Sequence, residues 1–106
     1  MTHWIYLVLA GCCEIAWATG LKFSHGFSRP LPSIFTVAAM ITSFYLLSLA
    51  LRHLPLGTAY AIWTGIGAVG AFVMGMVLLH ESPTLTQTVC ICCIVAGIVG
   101  LKLTTP

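Results

Sequence analysis

Apolar residues occur in four long runs along the chain. The runs cover about residues 4–21, 34–51, 58–79 and 86–103, and short stretches with proline, histidine or charged residues separate them. Each run has about 18 residues or more, enough for a helix to cross the hydrocarbon layer of a bilayer. We therefore predict an all-α integral membrane protein in which residues 1–106 form a single domain of four transmembrane helices.

Composition excludes most other classes of protein. Hydrophobic residues make up 59% of the chain and charged residues 6%, whereas a soluble domain has about 25% charged residues. A soluble enzyme, a nucleic-acid binder and a disordered chain are therefore not expected. Glu14 interrupts the first apolar run, and no basic segment precedes it, so we predict a permanent span and not a cleaved signal peptide.

Histidine and cysteine residues do not have the spacing of a metal site. The four histidines stand at the ends of the apolar runs or between them, and we interpret them as interfacial residues. The five cysteines are predicted to pack as small apolar residues. We expect no metal, no cofactor and no catalytic residue.

The basic residues are divided equally between the two sides of the predicted membrane domain. Four spans place Arg52 and Lys102 on the side of the termini, and Lys22 and Arg29 on the other. Orientation in a bilayer follows mainly from a bias in such residues, so its absence predicts insertion in both directions. Two opposite copies can form an antiparallel homodimer with a two-fold axis in the membrane plane. A fixed orientation set by weaker cues is the alternative.

Glu14 is the one acidic residue near the middle of a predicted span, since Glu81 lies between spans. A carboxylate at that depth costs about 2.5 kcal/mol or more, so such residues usually face a cavity or a partner and have a function. The alternative is a protonated, structural Glu14 hydrogen-bonded to a neighbouring helix.

Helical spacing allows one pocket to be assembled around Glu14. Trp17 lies on the same face of the first span, Tyr60 and Trp63 share a face of the third, and Ser43 lies in the second. The indole rings suit a cation, and the hydroxyls can orient the carboxylate or bond the ligand. For each aromatic residue taken singly, packing or interfacial anchoring is the alternative.

A small cation is the ligand that this pocket implies. A carboxylate accepts two parallel hydrogen bonds from a planar guanidinium, which also stacks on aromatic rings. A proton is the other cation that Glu14 can hold, because burial disfavours the charged form of a carboxyl group. Proton and substrate then compete for one site. If the empty, unprotonated site cannot reorient, each is exchanged for the other.

Small residues line one face of the third span. Gly67, Ala71 and Gly75 are spaced by four and allow close approach of a neighbouring helix. Gly65 and Gly67 together form a plausible kink, and we hypothesise that this kink moves during transport. Close packing without movement is the alternative.

Three stretches resemble the small multidrug resistance family, specifically its guanidinium exporters. They are AGCCEIAWATGLKFSHGFSR at residues 10–29, LPLGTAYAIWTGIGAVGA at residues 54–71, and GIVGLKLTTP at the end. Trp17, three residues after Glu14, and Ser43 match the guanidinium exporters and not the polyaromatic drug exporters of the family. Cys12 and Cys13 depart from the aliphatic residues expected before the glutamate.

The resemblance covers the whole chain and implies a function. It implies a dual-topology, antiparallel homodimer in the bacterial inner membrane that exports guanidinium, guanylurea or related guanidinyl cations in exchange for protons. It also implies that substrate and protons share Glu14, and that Trp17, Ser43, Tyr60 and Trp63 line the site. An exporter of quaternary ammonium ions and a structural subunit without transport are the alternatives; a channel is disfavoured, because a lone carboxylate supplies no selectivity filter.

Overall fold

The computed structural model describes residues 2–105, which form four helices. These are α1 (Thr2–Phe23), α2 (Pro30–Ala50), α3 (Leu56–Leu79) and α4 (Leu85–Thr104). Each is long and apolar enough to cross a membrane. The described part of the chain is all-helical, as predicted.

The helix ends follow local chemistry that the apolar pattern does not contain. α2 begins at Pro30, four residues before the predicted run, because a first-turn proline lacks only an amide that would have no helical partner. α4 begins with a capping box, in which Thr84 and Gln87 each accept a hydrogen bond from the other's backbone N–H. α3 ends at Leu79, and the residue that follows it, His80, has a left-handed φ of 56°.

The helices lie in the order α2, α1, α3, α4. α1 packs against both α2 and α3, whereas α2 and α3 touch little and α4 packs on α3. The chain measures 42 × 34 × 17 Å. Its smallest dimension is less than two helix diameters of about 10–12 Å, so the chain is a thin slab of helices.

The buried core lies toward one end of this slab. It comprises apolar residues from the start of α1, the end of α2 with the following turn, and the start of α3: Leu7, Ala10, Leu47, Ala50, Leu54, Ala59, Ile62 and Trp63. No residue of α4 is buried.

Glycines on α1 allow its two neighbours to approach. A Cβ at Gly11 would lie 2.7 Å from Ile66 Cγ2 of α3, and a Cβ at Gly20 would lie 2.5 Å from Thr36 Oγ1 of α2. Real Cβ atoms do not make contacts this short, so a side chain at either position would push the helices apart. The central place of α1 thus depends on its small residues.

We expect Gly11→Ala to lower the free energy of unfolding in detergent by about 1–3 kcal/mol, because the added methyl group overpacks the contact between α1 and α3. Gly57→Ala is the matched control, since a Cβ at Gly57 meets nothing within 4 Å. Thermal or denaturant unfolding of both variants measures the difference. Equal stabilities would show that this contact tolerates a methyl group.

Candidate functional site

Glu14 lies in the middle of α1, directly against the backbone of α3. A Cβ at Gly67 would lie 2.7 Å from Glu14 Cγ and closer still to the carboxylate. Any residue larger than glycine at position 67 would therefore displace the acidic side chain. The small residue on α3 provides the space in which the carboxylate lies within the apolar layer.

Two buried polar atoms at this point have no hydrogen-bond partner among residues 2–105. They are Oε2 of Glu14 and Nε1 of Trp17. The two residues are three apart and therefore share a face of α1. An unpaired buried polar group costs about 1–3 kcal/mol. A ligand that forms hydrogen bonds with these two atoms would remove that cost, which would favour its binding.

A second pair of predicted residues is hydrogen-bonded within the protein. The indole Nε1 of Trp63 donates to Ser43 Oγ at 3.0 Å, and Ser43 Oγ donates to the carbonyl oxygen of Ala10 at 2.7 Å. Trp63 and Ser43 are both buried. This chain of hydrogen bonds joins α3 to α2 to α1, and it ends one turn from Glu14.

Four aromatic side chains form a row beside the site. The ring of Phe44 meets the rings of Trp17 and Trp63 edge-on, at centroid distances of 6.4 and 5.9 Å. The ring of Tyr60 lies 5.5 Å from that of Trp63 at the end of the row. Such contacts stabilise aromatic pairs and hold the rings in fixed orientations.

The structure brings the predicted site residues together in two groups. Glu14 and Trp17 share one face of α1, and Ser43 and Trp63 share a hydrogen bond. Tyr60 contacts Trp63 but is 54% exposed within this chain.

Sequence analysis missed Phe44, which joins the two indoles, and the carbonyl of Ala10, which accepts from Ser43. Phe44 follows Ser43 directly, and Ala10 lies four residues before Glu14. Both residues could therefore have been found from their closeness in the sequence to residues already predicted to line the site.

The glycines predicted as a kink are close contacts in a continuous helix. α3 is helical through both Gly65 and Gly67. A Cβ at Gly65 would lie 2.8 Å from Ile98 Cδ1, so Gly65 allows α4 to pack on α3. Gly65 therefore leaves space for α4, and Gly67 leaves space for the side chain of Glu14.

Further along α3, Ala71 and Gly75 line a cavity of about 120 Å³ between α1 and α3, together with Ala18 and Lys22. The carboxylate of Glu81 folds onto Gly75 at the end of this cavity. The small-residue face of α3 thus contacts both acidic side chains of the chain.

Comparison with known proteins identifies the family. The sequence profile described as Small Multidrug Resistance protein matches residues 2–94. The chain belongs to the small multidrug resistance family. The resemblance predicted from its motifs is confirmed.

Several relatives within the small multidrug resistance family have the same name. Proteins named guanidinium exporter from Citrobacter freundii and Escherichia coli strain K12 are each 58% identical over 102 residues, which is 96% of this chain and 97% of those proteins. One from Yersinia pestis is 58% identical over 100 residues, 94% of this chain and 96% of that protein. The chain is therefore a multi-pass membrane transporter and not an enzyme.

We expect Ser43→Ala to lower the free energy of unfolding by about 1–3 kcal/mol, because it leaves the buried Trp63 N–H without an acceptor. Ser48→Ala is the control, since Ser48 is exposed and bonds only within α2, to the carbonyl of Tyr45. Denaturant unfolding followed by tryptophan fluorescence measures both variants. A Ser43→Ala protein as stable as the Ser48→Ala protein would contradict the role assigned to this hydrogen bond.

Proposed function

We propose that this protein exports guanidinium and small guanidinyl cations in exchange for protons, with both cations competing for Glu14. The proposal is carried by the 58% identity, over nearly the full length, to proteins named guanidinium exporter. The unpartnered carboxylate oxygen of Glu14 supports it independently, because it is an acceptor without a donor inside an apolar layer.

Guanidinium matches the groups that the site presents. The cation carries only hydrogen-bond donors, arranged in a plane that fits a carboxylate. Glu14 is therefore its acceptor, and the aromatic row beside α1 offers ring faces for stacking. Trp17 N–H has no acceptor on guanidinium itself, but it fits the carbonyl oxygen of guanylurea. A derivative with such an oxygen satisfies both unpartnered atoms.

Exchange follows from competition at Glu14 of the two copies in the proposed dimer. One monovalent substrate cation replaces two protons there, so the exchange moves net charge. With neither cation bound, Glu14 is an uncompensated charge in an apolar layer, which opposes reorientation. Either a proton or a guanidinyl cation neutralises it. Substrate moving one way is thereby coupled to protons moving the other way.

Two copies of the chain, inserted in opposite directions, form the proposed transporter in the bacterial inner membrane. The two-against-two division of Lys and Arg favours insertion both ways. The chain is a slab only 17 Å thick, and a second copy would add protein on the faces that this chain leaves uncovered. α4 has no buried residue, and a Cβ at Gly97 or Gly100 would meet nothing within 4 Å. These faces suit a second copy.

Movement at Gly65 and Gly67 is part of the proposal. Replacing Gly67 would displace Glu14 itself, so Gly65 is the informative position. Gly65→Ala combined with Ile98→Ala makes room for the new methyl group. We expect this double variant to keep its apparent substrate affinity and to lose turnover, relative to Ile98→Ala alone. Equal turnover of the two would leave Gly65 a packing residue.

Transport by proteoliposomes tests the function. We expect electrogenic currents with guanidinium and with an alkylguanidinium, and smaller currents at the lower of two pH values because protons then occupy Glu14. Tetrapropylammonium is the contrasting substrate. Currents with tetrapropylammonium but not guanidinium would make the protein a quaternary ammonium exporter, and no current with any of the three would favour a structural subunit.

Glu14→Gln is expected to abolish these currents and to leave a folded dimer, because the amide cannot exchange a proton or pair with a cation. Glu81→Gln is the matched control, since Glu81 is exposed outside the helices and its loss should leave transport intact. Chemical cross-linking reports the dimer in both variants. Undiminished exchange by Glu14→Gln would refute the site.

A further inference from the structure

A second cavity lies at the end of the molecule where α1 begins and α2 ends. Its volume is about 420 Å³, within the range of about 300–1,000 Å³ typical of ligand pockets. It is lined by residues of α1, of the last turn of α2 and of the turn that follows it: Thr2, His3, Tyr6, Leu49, Arg52 and His53. It is separate from the site around Glu14.

Basic groups from three parts of the chain converge on this end. The rings of His3 and His53 lie 5.5 Å apart, joining the start of α1 to the turn after α2. Lys102 of α4 places its Nζ 4.5 Å from the ring centroid of Trp4, next to His3. Arg52 completes a basic cluster, which we define as His3, Arg52, His53 and Lys102.

No acidic residue balances the basic cluster. The chain has two acidic side chains. Glu14 lies in the middle of α1, and Glu81 follows α3 at the opposite end of the molecule. Within residues 2–105, the guanidinium of Arg52 therefore has no acidic side chain to pair with, and the cavity presents one guanidinium, two imidazoles, two hydroxyls and one apolar side chain. An oxyanion is the ligand that fits these groups.

An apolar groove adjoins the cavity on the neighbouring face of α1. Trp4, Ile5, Val8 and Leu9 line it, and almost all of its surface is apolar. Ile5, Val8 and Leu9 are all about half exposed. A polar cavity at the end of a spanning helix, followed by an apolar groove along the same helix, matches an amphiphilic ligand with an anionic head.

We propose that this cavity binds the phosphate of an anionic phospholipid, with an acyl chain in the groove on α1. Arg52 donates to the phosphate oxygens, with Thr2 and Tyr6 hydroxyls as further donors and with Arg52 and Lys102 supplying positive charge. The apolar groove favours a lipid over free phosphate. This proposal requires membrane insertion only, and it holds whichever cation is transported.

Native mass spectrometry of the full chain in detergent tests the proposal, with phosphatidylglycerol and phosphatidylcholine as probes. We expect phosphatidylglycerol to bind more tightly, and Arg52→Gln to weaken its binding about fivefold. Arg29→Gln is the matched control, because Arg29 is exposed at the opposite end and its loss changes the count of basic residues equally. Equal binding by the two variants would overturn the proposal.

Two further arms separate the remaining outcomes. His53→Gln removes a lining group from the turn after α2, and we expect it too to weaken phosphatidylglycerol binding, which keeps the test valid if Arg52→Gln does not fold. Inorganic phosphate is added as a competitor. Full displacement of phosphatidylglycerol by millimolar phosphate would show a general oxyanion site and would overturn the assignment to a lipid.

Discussion

A single carboxylate within the apolar layer is the constraint on which the central packing of this protein depends. Glu14 requires space and an environment that an ordinary helix surface does not supply. Gly67 provides the space on α3, and Gly11 and Gly20 allow the neighbouring helices to approach α1. α1 consequently lies between α2 and α3, and its acidic face is enclosed by small residues and aromatic rings.

The two indoles near Glu14 have different parts in this arrangement. Trp63 donates its N–H to Ser43, so the hydrogen-bonding capacity of its indole is used within the protein. Trp17 retains an unpaired N–H. The hydrogen bond of one indole thus joins α3 to α2, whereas the other indole keeps a buried N–H without a partner among residues 2–105.

The four helices could be predicted from the sequence because apolar runs of spanning length are an unambiguous signal in a chain with so few charges. Glu14 was equally evident, since its depth follows from the run that contains it. The start of α2 at Pro30 was missed, because hydropathy carries no information about first-turn proline.

Helical periodicity assigned Ser43 and Trp63 to faces but did not determine which faces meet. Their hydrogen bond, and the contacts of Phe44 with both indoles, required the packing of three helices.

The one-sided position of the core has a consequence for how the chain is made. All core residues lie between Leu7 and Trp63, and α4 contributes none. Proteins are synthesised from the N-terminus, and units whose contacts are complete can pack while synthesis continues. The first three helices therefore contain every buried core residue before the fourth leaves the ribosome. α4 then packs onto a preformed unit, which Ile98 and Leu101 contact.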